Sequence, residues 1–439
     1  MAAEPVTLTR IRSLESDPET PFMGDLFGRR QLAERLTGMV ERMADGYVIG
    51  IDAPWGDGKT WFARHWAADL RNKGFRVAYI DAFKQDYAED PFLMVCSELL
   101  SAIKSDESSY DKVMDAGKRV AKALLPAAAK AAVNIVGRSL LGTMDLSDEL
   151  KKVAEGMEMK MADAVEKHFA KRLEAHAEEK KSVEGFASVL TDAAATSEKP
   201  IIVFVDELDR CRPDFAVRTV ERIKHFFDVP KVVFVLIVNR EQLESSIKGV
   251  YGQGLNAGTY LGKFVQLWLR LPKMTSLDSS YSCHNRTYCD DLAQRFRVVG
   301  ASGHKDFQDV FITLANITGL SLRDLERGYT LFSFGQPFGA LGAFAAWAIW
   351  LKLKHPKLFA GVMAGQPDEN REASKIASEL KTLAWFKHFK VMHDYAVSGD
   401  KTLYSQELIN HTNRICFTSG IDSYEIIPYI CKAIDLTVD

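Results

Sequence analysis

The tightest constraint on this chain lies between Val48 and Trp66, in VIGIDAPWGDGKTWFARHW. An apolar run suited to a buried strand meets two glycines, a lysine and a threonine, and then helix-forming sequence. Gly56 and Gly58 permit backbone angles that a side chain would obstruct. A strand, a tight loop and a helix open a crossover unit, so the next strand is expected to run parallel to the first. RVAYIDAF (76–83), after a helix break at Gly74, supplies that strand. KPIIVFVDELDR (199–210) and KVVFVLIVN (231–239) add two more, with helical FAVRTVERIKHFF between them. YLGKFVQLWLRLP (260–272) passes from helix into a last strand that Pro272 stops. The expected fold class is α/β, a mainly parallel sheet with crossover helices.

Five stretches divide the chain. Residues 1–25, rich in prolines and acids, read as an irregular arm. Residues 26–100 form the first part of the core, opening with helical LFGRRQLAERLTGMVERM, whose Leu32, Leu36, Met39 and Met43 share a side. Residues 101–198 form a long helical insert. In it Leu150, Val153, Met157, Met161, Val165, Phe169 and Leu173 recur three or four apart, a packing stripe. Residues 199–300 complete the core, and 301–439 carry only helical signals. Hydrophobic residues make up 47% of the 439, enough for a sizeable core.

Several function classes recede on composition. The formal net charge of −3 gives no global pull toward nucleic acid, and the insert balances its bases with acids, so no tight duplex binding is expected. The six cysteines form no CxxC pair, and Cys283, His284 and Cys289 lack a second ligand pair, which fits reduced thiols in the cytoplasm. MAAEPVTLTRIRSLESDPETPF has no apolar core of signal-peptide length, so secretion is not expected. Residues 328–351 carry no charge, but Gly335-Gln336-Pro337 cuts the run, leaving Phe338 to Leu351 as a core helix. The Ala-rich segment from Val113 to Met144 is interrupted by Lys118, Arg119, Lys122, Lys130 and Arg138 and cannot span a bilayer. It suits an amphipathic helix on a protein face, and peripheral contact with an anionic inner-membrane face stays open.

From Ala53 the opening stretch reads Ala-Pro-Trp-Gly-Asp-Gly-Lys-Thr, a phosphate-loop pattern with alanine in place of its first glycine. Pro54, Trp55, Gly56, Asp57, Gly58, Lys59, Thr60 and Trp61 are the candidate nucleotide-binding residues. The loop can turn its N–H groups onto a polyphosphate at the positive end of the following helix. Lys59 would reach the β- and γ-phosphates, and the Thr60 hydroxyl would ligate Mg²⁺. A plain glycine turn that happens to hold Lys-Thr is the bland alternative.

A phosphate loop needs a carboxylate at the end of another buried strand. Ile201 to Val205 lead to Asp206 and Glu207. Asp206 would hold Mg²⁺, and Glu207 would polarise the attacking water as a general base. Asp209 is weighed only as a helix cap. Asn239 ends the next strand, where a polar side chain can position water, or simply occupy a strand-to-helix turn. Lys59 and the two carboxylates are expected to meet at neighbouring strand tips.

These pieces resemble one family, the KAP P-loop NTPases, related to the STAND and AAA+ ATPases. DLFGRRQLAERL, APWGDGKTWF, DAFKQDY, VFVDELDRCRPDFAVRTVERIKHFF, VLIVNREQLESSI, YLGKFVQLWLRLP and LSLRDLERGYTLF come in family order. Glu207 stands where the family usually has Asp, and Asn239 likewise. The resemblance implies ATP and Mg²⁺ binding, ATP hydrolysis and a C-terminal helical lid. It implies that Arg323 or Arg327 in LRDLER senses the γ-phosphate, with Arg210 and Arg240 as further candidates for charge neutralisation, within the chain or across a subunit interface. Many members carry transmembrane helices where this chain has the basic segment 113–144. Prokaryotic members include phage-exclusion proteins. The expected function is an ATPase that couples nucleotide state to conformation, to assembly of copies of itself or to a protein partner through the insert or C-terminal domain. A nucleotide-gated scaffold with negligible turnover and a P-loop kinase are the alternatives.

Overall fold

A computed structural model describes residues 19–87, 90–103, 107–124, 181–224, 229–272, 282–335, 341–380, 385–398, 408 and 426–435. The first part alternates strand and helix: α1 (Arg29–Val40), β1 (Tyr47–Asp52), α2 (Lys59–Asn72), β2 (Arg76–Asp81), α3 (Pro91–Ile103) and α4 (Glu107–Leu124). After the insert come β3 (Ile201–Asp206), α5 (Pro213–Ile223), β4 (Val232–Val238), α6 (Arg240–Tyr251), α7 (Ala257–Leu261) and β5 (Leu267–Arg270). The strands pair in the order β2-β3-β4-β1-β5, every pairing parallel.

Strand alternation builds two apolar layers. Ile201, Val203 and Val205 of β3, with Val232, Phe234, Leu236 and Val238 of β4, face the layer that holds α3, α4 and α5. Ile202 and Phe204, with Val233, Val235 and Ile237, face the layer under α1 and α2. Both strands are buried along their whole length, which is why they read as unbroken apolar runs. α1 stops at Val40, so Met43 lies beyond the helix, partly buried against the same layer as Leu32, Leu36 and Met39.

The parallel register makes the strand tips level. Asp81 pairs with Asp206, Asp206 with Ile237, and Asp52 with Val238. The expected direct neighbourhood of the loop-bearing strand and the acidic strand is corrected here: β4 lies between them. The turns that follow β1 and β3 meet only by reaching across the end of β4.

Of the insert, α4 buries Val113, Ala116 and Val120 against the core, together with Val183, Phe186 and Leu190 from residues 181–195. The expected stripe from Leu150 to Leu173, the rest of the segment to Met144 and most of the N-terminal arm lie outside the described residues.

The C-terminal part is helical: α8 (Ser282–Arg295), α9 (His304–Thr318), α10 (Leu322–Phe334), α11 (Gly342–Lys354), α12 (Pro356–Met363), α13 (Pro367–Glu379), α14 (Phe386–Ser398) and α15 (Ile426–Asp435). α11 is its axis. Every residue from Gly342 to Leu351 is buried, so the uncharged run is a core helix, as its interrupting Gly-Gln-Pro suggested. No helix among the described residues is long and apolar enough to cross a membrane.

A polar triad is sealed into this helical core. The Trp347 indole donates to His393 Nε2 at 2.9 Å, so the imidazole proton sits on Nδ1, which donates to Asn370 Oδ1 at 2.8 Å. His393 is fully buried, and desolvation lowers its pKa to about 4 despite nearby Asp394. The native state therefore holds His393 neutral, whereas the unfolded chain protonates it near its ordinary value. Stability from this site is complete above that ordinary value and is lost as pH falls toward the lowered one. We expect roughly 2 kcal/mol of loss at pH 5 relative to pH 7.5. Thermal melts across this range should show it, and His393→Gln should flatten the dependence; parallel curves for the two proteins would refute the assignment.

Candidate nucleotide site

The site is built where β1, β3 and β4 end. Ala53 continues β1 by donating its N–H to Val238 O at 3.2 Å. It is buried among the residues under α2, where its methyl group is accommodated. The chain then turns through Pro54 to Gly58 and enters α2 at Lys59. Gly56 and Gly58 have φ of 88° and 76°, in the left-handed region that side chains avoid.

Two neighbours shape this loop from outside. Arg29, at the start of α1, is 2% exposed and reaches under it. Its Nη2 donates to Asp57 O at 2.7 Å and its Nη1 to Gly58 O at 3.0 Å. A peptide plane holds C=O and the next N–H on opposite sides. Anchoring the carbonyls of Asp57 and Gly58 outward therefore aims the N–H groups of Gly58 and Lys59 the other way. Burial lowers the Arg29 pKa to about 10, with Asp57 and Asp25 opposing, so the guanidinium stays charged at neutral pH. A Cβ on Gly58 would lie 2.6 Å from Arg29 Nη1.

The second neighbour is the N-terminus of α10. Ser321 caps that helix in a capping box with Asp324. The Arg323 N–H donates to Gly56 O at 3.2 Å. A Cβ on Gly56 would stand 2.7 Å from Ser321 Oγ and 2.9 Å from Arg323 Cβ. The C-terminal helices thus touch the loop through backbone, at the positive end of a helix. Arg323 itself is exposed at this contact. Arg327, one turn further on, is 63% exposed and lies 3.8 Å from Asp324.

Lys59 is buried, and its Nζ donates to Ala53 O at 2.7 Å and Pro54 O at 3.2 Å. Asp209 Oδ2 stands 3.9 Å from the same nitrogen. Desolvation lowers the Lys59 pKa, countered by Asp209, Asp206 and Glu207 in that order. Thr60 Oγ1 donates to Glu207 Oε1 at 2.8 Å, so loop and acidic turn do meet.

Asp206 is almost wholly buried. Tyr79 OH donates to its Oδ2 at 2.7 Å, and the Glu207 N–H to its Oδ1 at 2.9 Å. Burial, then the neighbouring Glu207 carboxylate, push the Asp206 pKa up to about 6, and those hydrogen bonds with one from Thr60 pull it back. Glu207 adopts φ 61°, ψ 18°, a left-handed conformation that costs a non-glycine residue about 1 kcal/mol. That turn carries its side chain back to Thr60. Its other oxygen meets Arg210 Nε at 2.5 Å.

Other anticipated residues are engaged differently. The Asn239 side chain caps α6, accepting from the Gln242 N–H at 3.4 Å, so the strand-to-helix turn is what occupies it. Trp61 packs on His65 with ring centroids 4.0 Å apart and edge-on to Phe22, so its indole belongs to an aromatic cluster. Arg240 pairs with Glu244 at 2.8 Å and lies over the Trp268 ring. Arg29, Tyr79, Asp209 and Ser321 were not singled out as site residues by the sequence; the first of two arginines in FGRR or a tyrosine inside a strand carries no spacing signal.

The oxygen set suits Mg²⁺. Thr60 lies within hydrogen-bond reach of both carboxylates beside the loop, and Mg²⁺ asks for one or two protein oxygens plus phosphates and water. Among the described residues, no group of three or more His, Cys, Asp or Glu could hold a metal alone.

A parallel sheet with a glycine loop entering a helix from one strand, and paired acids ending another, defines a P-loop NTPase fold. The KAP family P-loop domain matches residues 29–293, and the chain belongs to that family. Among curated proteins none matches it. Of solved structures, the ORC2 protein of Aeropyrum pernix in its ADPNP-ADP complexes aligns at 11% identity and TM-score 0.36, covering 97% of this chain and 98% of that one. Its ADP form aligns at 10% and 0.33, covering 96% of each. Likenesses this low say nothing of the site.

Arg29→Ala should free the Asp57 and Gly58 peptides to rotate. We expect calorimetry to show nucleotide affinity reduced roughly ten- to a hundredfold, about the size of one charge-assisted hydrogen bond. Unchanged affinity would refute the anchoring role.

Proposed function

We propose that the chain binds ATP with Mg²⁺ and hydrolyses it, and that nucleotide state is passed to the C-terminal helices through the loop. One observation carries this reading: the Thr60–Glu207 hydrogen bond, which joins the phosphate loop to the acidic strand end across 147 residues of sequence. In this reading the phosphates displace the Ala53 and Pro54 carbonyls from Lys59 and lie on the N–H groups of the loop and first turn of α2. Thr60 and Asp206 would hold Mg²⁺, which supplies positive charge against the developing charge on the phosphates. Glu207 accepts a proton from water as the water oxygen attacks the γ-phosphorus. The bond from that phosphorus to the β–γ bridging oxygen breaks, releasing ADP and phosphate.

The α10 N-terminus supports the coupling. The lid meets the loop at Gly56 O, so a loop that shifts on nucleotide binding moves Ser321 and Arg323 with it. Arg323 is the better-placed γ-phosphate sensor, since Arg327 is paired on the outer side of its own helix. The output is a change in contact with a protein partner or with further copies of the chain. Phage exclusion by relatives suggests antiphage defence as the setting.

A second reading has its own support. Glu207 is held by both Thr60 and Arg210, which fits a nucleotide-gated scaffold that turns over slowly. Calorimetry and phosphate release decide among these. We expect binding of ATP with Mg²⁺, loss of binding in Lys59→Ala, and turnover at least a hundredfold slower in Glu207→Gln with ATP still bound. Equal slow release by wild type and Glu207→Gln selects the scaffold, and no heat with any nucleoside triphosphate overturns both. Plaque counts in cells with and without the protein test the defence setting; equal counts across a phage panel would remove it.

A further inference from the structure

Asp209 is the buried acid that the phosphate-transfer reading leaves unused. It sits on the short turn Leu208–Arg210, directly after the acidic strand end, and is 6% exposed. Its Oδ2 accepts from two donors on two other elements. The Trp55 indole Nε1, on the phosphate loop, donates at 2.5 Å. The Asn239 backbone N–H, at the junction of β4 and α6, donates at 3.0 Å. Lys59 Nζ stands 3.9 Å away, near enough for charge attraction and too far for a hydrogen bond.

This arrangement does not suit a helix cap. The turn it sits on has no side-chain cap bond, and the donors Asp209 serves lie 154 and 30 residues away. It suits a joint. β4 separates the loop-bearing strand from the acidic one, and Asp209 spans that gap. Trp55 is 42% exposed although its indole N–H is tied inward, so the ring stands at the loop's outer face.

We propose that Asp209 is a positioning residue that ties Trp55 of the phosphate loop to the tip of β4, so that nucleotide arriving at Lys59 is transmitted to the β4–α6 junction. The proposal rests on the ATP reading above. Phosphates that take Lys59 from the Ala53 and Pro54 carbonyls shift the loop, and the Trp55–Asp209 hydrogen bond carries that shift to the Asn239 N–H. The transmission needs an acceptor oxygen at this position, not its charge.

The test follows the Trp55 fluorescence, taken as wild-type emission minus that of Trp55→Phe. Adding a non-hydrolysable ATP analogue with Mg²⁺ should change this component with the midpoint that calorimetry gives. Asp209→Ala should lose the change, and its saturated turnover should fall at least tenfold while nucleotide affinity moves less than threefold. Asp209→Asn keeps an oxygen for both donors. It should restore the fluorescence response and most of the turnover, a rescue that a loss of general stability would not give.

An Asp209→Ala protein with normal response and turnover overturns the proposal, as does an Asp209→Asn protein no better than Asp209→Ala. If Asp209→Ala does not fold, Asp209→Asn decides: a lost response in a folded protein overturns the joint, and a retained one supports it. Wild type that binds nucleotide while Trp55 stays silent overturns the joint alone. Wild type that binds no nucleotide overturns the ATP reading and this proposal together.

Discussion

The levelled tips of a parallel sheet are the constraint on which the site depends. β1, β4 and β3 end in register, and each carries a different part: the glycine loop, a polar junction and the paired acids. Loops at the carboxyl ends of such strands are where ligands bind in open α/β sheets. With β4 in the middle, no backbone pairing joins the loop to the acids. Side chains must make the connection. Thr60 reaches Glu207, and Asp209 reaches Trp55 and the Asn239 N–H. A one-residue slip of β3 against β4 would send the β3 side chains into the opposite layers, so the packing of both layers fixes where the acids stand.

The loop's own shape is imposed from both ends of the chain. Arg29, near the start of the described residues, pins two carbonyls from beneath, and Arg323, nearly three hundred residues later, donates its N–H to a third. Burying a guanidinium costs several kcal/mol unless its hydrogen bonds are made. Arg29 makes two to the loop, stacks over the Phe27 ring and faces the Asp57 charge. The loop thus solvates the arginine, and the arginine orients the loop. Neither hydrogen bond involves a side chain of the loop, although the Asp57 carboxylate, itself in the loop, offsets part of the cost of burying Arg29.

What could be read in the sequence is what local pattern encodes. Val48 to Trp66 and Ile201 to Glu207 announce strand, loop and acids because apolar period and glycine spacing are one-dimensional signals. α11 was legible as a core helix because Pro337 and its neighbours shorten the apolar run. Strand order was not legible, since β1, β3 and β4 are equally apolar and crossover sequences do not say which edge they return to. Asp209 looked like a cap for the same reason: its partners, Trp55 and the Asn239 N–H, lie on distant segments of the chain. Asn239 is the converse, a residue whose local role as a cap outweighs the strand-tip role its position suggested.

The side chains that would meet phosphate and Mg²⁺ each have a partner inside the protein. Lys59 holds the Ala53 and Pro54 carbonyls, Thr60 holds Glu207, Glu207 holds Arg210, and Asp206 holds Tyr79. Buried groups left without such bonds would each cost about 1–3 kcal/mol or more, so this internal pairing stabilises the strand tips. In the proposed reading, ligand binding is therefore an exchange, and its net affinity is the difference between two well-bonded states. The same exchange would let the site signal. A phosphate that took Lys59 from two carbonyls would free the backbone of the very loop whose Gly56 carbonyl receives the Arg323 N–H. A site with idle groups could bind more tightly, but it would have nothing to release.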